Sequence, residues 1–103
     1  MTYKEFITYL EENFDGYAVF MEKAIEFQEA KNQKRPAKSR WKEVKVQKAV
    51  NAMWTKSMQP LYDNLKKEIK SAIPYKWTEY MDQHEVLEGL RDSMADLSFG
   101  DVD

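Results

Sequence analysis

Seven residues between positions 34 and 48 carry the most readable chemistry in the chain: Lys34, Arg35, Lys38, Arg40, Trp41, Lys45 and Lys48. Six cations around one indole can neutralise phosphates and stack a base, which is how proteins hold a nucleic-acid backbone or a single strand. At helical spacing Lys38, Trp41, Lys45, Lys48 and Lys56 project into one sector of about 80°, away from Val46, Val50 and Met53. The same residues also describe a solvated lysine face with Trp41 covering the core. A pI near 5.5 weighs on that side, since dedicated nucleic-acid binders are basic overall.

The opposing signal is acidic. Asp82, Glu85, Glu88, Asp92 and Asp96 fall in one sector of a helix whose other side carries Leu87, Leu90 and Met94. Carboxylates one turn apart, at about 5.4 Å, complement a basic groove of the kind that receives nucleic acid, so a protein partner of that type is expected. His84 and Glu88 stand at i and i+4 and form the one candidate metal edge, but a protein metal site needs three or four ligands and only His84 is a strong one. No cofactor is expected, and a divalent metal is left open.

Catalysis has little to work with. One His, no Cys, no phosphate-binding glycine loop, no nucleophile elbow and no H-E-x-x-H helix leave acid–base, nucleophilic and zinc chemistries without their parts. The absence of Cys also removes a disulfide scaffold and fits a reducing, cytoplasmic setting. No uninterrupted apolar run reaches membrane-spanning length and no leader opens the chain, so no membrane partner is expected.

The elements that must position these charges are helices. With only three Gly and three Pro in 103 residues, and with Glu, Lys, Ala, Met and Leu abundant, the composition predicts an all-α bundle of four to five amphipathic helices without a sheet. The chain reads as a single domain over 1–103. Thr2 and Glu5 form a capping box ahead of a helix over about 3–13, and Asp15 is placed to cap a second helix reaching about residue 32. A basic loop follows at about 31–40. The third helix carries Val46, Val50, Met53, Trp54 and Met58. Pro60 predicts a new helix bearing Leu61, Leu65, Ile69 and Ile73. A last helix then runs from Trp77 to Leu97 through Gly89, and an acidic tail over about 98–103 is expected to fray.

Charge follows these segments. Residues 1–30 carry −5, residues 31–56 carry +8, residues 57–77 carry +2 and residues 78–103 carry −7. In size, acidity and lack of a catalytic signature the chain resembles the small accessory proteins of phages and mobile elements, among them anti-CRISPR inhibitors. That likeness is one of overall character and transfers no residue role. It implies a non-enzymatic inhibitor or adaptor that binds a nucleic-acid-handling protein through charged helix faces. Direct nucleic-acid binding by the 31–56 segment is the alternative, and a structural homodimer pairing basic with acidic stripes is the second.

Overall fold

The computed structural model describes residues 1–99. Its elements are α1 (Tyr3–Asn13), α2 (Gly16–Gln33), a short 3₁₀ turn (Ala37–Ser39), α3 (Glu43–Ile69), α4 (Pro74–Gln83) and α5 (Val86–Ala95), with no strand among the described residues. The all-α expectation holds. Thr2 Oγ1 accepts from the Glu5 N–H at 3.1 Å and Glu5 Oε1 from the Thr2 N–H at 2.8 Å, the reciprocal bonds of the capping box. Asp15 occupies the N-cap position of α2 but makes no side-chain cap bond. Its carboxylate pairs instead with Arg91 at 2.9 Å, both side chains being well exposed.

The helices are divided differently from the expectation at two places. Pro60 starts no new helix, because α3 continues through it to Ile69. Proline removes the bond to the Lys56 carbonyl, but Lys56 and Pro60 are both exposed, on the side of α3 open to solvent. The buried row Val46, Val50, Trp54, Met58, Tyr62 and Leu65 stays in phase across it. That continuous stripe outweighs the interior proline's cost of about 3 kcal/mol. Met53, expected on the same buried face, is half-buried and accepts from Gln28 Nε2 at 3.1 Å through its sulfur.

The helix expected from Trp77 to Leu97 is in fact two. His84 ends α4, and Glu85 takes a left-handed conformation, φ 50°, that starts α5 in a new direction. No Gly, Pro or Asn marks this break. It is imposed from outside, because α4 packs on the C-terminal half of α3 while α5 packs on α2. A straight helix over that span cannot follow both. Lys23 of α2 secures α5 by donating to the carbonyls of Met94, Ala95 and Leu97 at 2.8, 2.9 and 3.2 Å, bonds that also complement the helix's negative end.

α3, about 40 Å long, is the spine. Around its middle and C-terminal half lie two groups of aromatic rings. Phe6 and Trp77 lie against Tyr62, with centroids 5.5 and 5.1 Å from it, and Trp54 is surrounded by Phe14, Tyr17 and Phe20 at 6.4, 4.9 and 5.0 Å. Phe99, within the segment expected to fray, packs edge to face on Phe20 at 5.5 Å. The rest of that tail, residues 100–103, lies outside the described residues. The α2–α3 hairpin extends beyond the aromatic body as a two-helix tip. The molecule is accordingly elongated, 49 × 24 × 21 Å with a radius of gyration of 15.8 Å, against about 13 Å for a compact domain of this length.

Candidate functional site

The tip is built on Asn32. Its Oδ1 accepts from the Trp41 N–H at 2.8 Å and its Nδ2 donates to the Trp41 carbonyl at 3.0 Å, so one amide holds both backbone groups of Trp41. The same Oδ1 accepts from Arg35 Nη1 at 3.0 Å. Arg40 closes the loop by donating from Nε to the Arg35 carbonyl at 3.3 Å and from Nη2 to the Gln33 carbonyl at 3.2 Å. The Gln33 carbonyl belongs to the last turn of α2, where acceptors lack helical partners, and that of Arg35 lies just beyond it.

Trp41 is half-buried, with two cations over its ring. The Arg35 guanidinium carbon stands 3.8 Å from the centroid and Lys45 Nζ 4.9 Å, within the range of a cation–π contact. The indole lines two grooves of different chemistry. One, about 670 Å³, is bounded by Lys38, Ser39, Arg40, Trp41, Lys42, Val44, Lys45 and Lys48, five cations without a carboxylate. The other, about 580 Å³, has Glu29 and Glu43 in its wall beside Asn32, Gln33 and Gln47. Lys38, Lys42, Lys45 and Lys48 are exposed and make no ion pair among the described residues. Val44, between them, is 69% exposed.

The structure sorts the basic residues named from sequence. Lys38, Arg40, Trp41, Lys45 and Lys48 share the groove, while Arg35 lies over the indole and Lys34 caps the end of α2 outside it. Lys56, about 12 Å further along α3 than Lys48, does not line it. Lys42 and Val44 do, although helical phasing missed them. Lys42 is the N-cap residue of α3 and precedes its helical phase, whereas Val44 lies within α3. The charge run alone would have included Lys42, whereas nothing local marks Asn32 as the clamp.

The acidic row is not one helical stripe. Asp82 belongs to α4, Glu85 to the left-handed junction, Glu88 and Asp92 to α5, and Asp96 to its C-cap. The turn gathers Asp82, Glu85 and Glu88 around a small cleft of about 190 Å³ with Tyr9, Met81 and Leu87 in its walls, and Asp92 and Asp96 are not part of it. The break also separates His84 from Glu88, so their expected i, i+4 edge does not form. His84 is exposed against Tyr80, ring centroids 4.1 Å apart. Among the described residues no group of three or more His, Asp or Glu is placed to hold a metal ion, and no helix is long and apolar enough to cross a membrane. Comparison with protein-family models, curated proteins and solved structures finds no match to this chain.

Proposed function

We propose that the chain is a non-enzymatic nucleic-acid-binding protein whose working surface is the basic hairpin tip. The observation that carries this reading is the groove bounded by five cations and no carboxylate, four of its lysines lacking an ion pair among the described residues. Eight bases and one acid occupy residues 31–48, a local charge of +7. Such a field attracts a polyanion even though the whole chain carries −2, because charges beyond about 8–10 Å are screened at physiological salt. The division of the acidic row weakens the opposite reading. A partner of this chemistry suits a protein of the cytoplasm.

Fluorescence anisotropy with a labelled oligonucleotide at near-physiological salt is the test. Wild-type protein should bind, and reversing Lys38, Lys45 and Lys48 to Glu should abolish binding while leaving the far-ultraviolet circular dichroism unchanged. Retained binding by the triple variant, or none by wild type, overturns the proposal. One observation favours a second reading. The cleft at the α4–α5 turn sets Asp82, Glu85 and Glu88 beside Tyr9, Met81 and Leu87, a combination suited to the ammonium and aliphatic stem of a basic protein partner, as for an inhibitor or adaptor. If that cleft is the working surface, reversing Glu85 and Glu88 to Lys removes a captured protein partner and the lysine reversals do not.

A further inference from the structure

We infer that the basic tip holds a phosphodiester backbone without reading its bases, and that Trp41 is a positioning residue for the cations rather than a stacking platform. The inference rests on the nucleic-acid reading above and specifies which part of the polymer is held.

An indole that stacks bases must offer them a face. Here Arg35 and Lys45 stand over the ring, at 3.8 and 4.9 Å from its centroid. A base entering there has to displace a cation, and displacing Arg35 breaks its bond to Asn32. Asn32 also holds Trp41 by its N–H and its carbonyl, which fixes the backbone that carries the ring beneath the two cations. Val44, the exposed apolar side chain of the groove, has no π face.

The arginines and the asparagine of the tip already commit donors within the loop. Arginine and asparagine recognise bases through paired donors and acceptors, but Arg35, Arg40 and Asn32 direct theirs to one another and to loop carbonyls. Facing the groove are the ammonium groups of Lys38, Lys42, Lys45 and Lys48, point charges on flexible stems that meet phosphate oxygens from many directions, and a contact to phosphate carries no base information. Two of them owe their place to Trp41 or its neighbours: Lys45 lies over the ring and Lys42 follows the clamped residue in the chain.

The full chain is titrated against two labelled strands of equal length, one an ordinary oligodeoxynucleotide and one with an abasic sugar at every position. The two should bind within about threefold of each other, because base stacking would contribute tenfold or more. Four lysines meeting phosphates should give a salt dependence of log K on log salt of about −3 on a single strand and closer to −4 on a duplex. Trp41→Leu should weaken both strands by the same factor, and Trp41→Phe, which keeps an aromatic face for the cations, should restore most of the affinity. An ordinary strand bound more than about tenfold tighter than the abasic one, or a Trp41→Leu loss confined to the ordinary strand, overturns the inference and leaves nucleic-acid binding standing. The wild-type comparison needs no variant to fold. If neither strand binds and poly-glutamate does, the nucleic-acid reading falls and the inference with it.

Discussion

The aromatic body and the basic tip are two solutions to holding helices together on the same 27-residue α3. In the body, three other helices, α1 with its cap Phe14, α2 and α4, press rings onto Trp54 and Tyr62, and Phe6, Trp54 and Trp77 are almost wholly withdrawn from water. Burial of that kind depends on area and is indifferent to ionic strength. In the tip only α2 meets α3. Val46 and Val50 are buried there, and the loop is held by Asn32, by the arginine-to-carbonyl bonds and by cations over one indole. Crowding eight bases within residues 31–48 costs repulsion that a polyanion would relieve. One region is built for stability, and the other keeps charge available at some expense in stability.

Substitutions that act on the two regions separately should separate in size. Phe6→Ala, which removes a ring packed against both Tyr62 and Trp77, should cost about 3–5 kcal/mol by denaturant unfolding. Arg40→Ala at the tip should cost no more than about 1 kcal/mol. Equal losses would erase the distinction.

A second pair tests the body's packing against its periphery. A Cβ on Gly16 would lie 2.2 Å from the Phe14 ring, which stacks on Trp54, so Gly16→Ala should destabilise by about 1–3 kcal/mol. Gly89 has nothing within 4 Å of such an atom, and Gly89→Ala should stabilise by about 1 kcal/mol. The sign of each change in thermal midpoint decides. The left-handed Glu85 and Lys70 bound α4 and its adjoining segment. Relieving either with Gly should add up to about 1 kcal/mol, and a loss at Glu85 would mean that its carboxylate has structural work beyond the turn.

The smallest effects are those of pH. Burial, with Asp63 nearby, raises the Tyr3 phenol, and burial, with Glu11 nearby, raises that of Tyr17. Their neutral forms favour the folded body, so this contribution is present below about pH 10 and is lost as pH rises through the raised values. Glu5 moves the other way, its carboxyl lowered by the backbone and then the hydroxyl of Thr2. Its contribution is present above about pH 4.3 and is lost as pH falls through the lowered value. Unfolding midpoints across pH should therefore fall at both extremes, with Tyr3→Phe and Tyr17→Phe softening the alkaline side and Glu5→Gln the acid side.

Much of the helical framework was legible from local pattern. The capping box at Thr2 and Glu5, the break at Phe14–Asp15 and the stripe from Val46 to Met58 each depend on residues within a turn or two of one another. Of the candidate site, the basic run was legible as a run, and the sector that held Lys38, Trp41, Lys45 and Lys48 together matches the groove, but it added Lys56 and missed Lys42, which precedes α3. Its division into cations that hold the loop and cations that face solvent was not legible, since Lys38 and Arg40 look alike until the Gln33 and Arg35 carbonyls come within reach of one of them.

The residues by themselves determined that this chain is helical, that its charge is segregated and that the stretch from Val46 to Met58 has one apolar face, because those properties follow from composition and from a 3.6-residue period. Tertiary structure decided where helices end. Pro60 is passed because its missing bond faces water, and Glu85 is bent because α4 and α5 must reach different parts of the bundle. It also decided which charges stand together, since Asp82, Glu85 and Glu88 meet across a turn and Asn32 fixes Trp41 across nine residues of chain. Local preferences amount to about 1–3 kcal/mol at such points, and the burial of a few aromatic rings exceeds that.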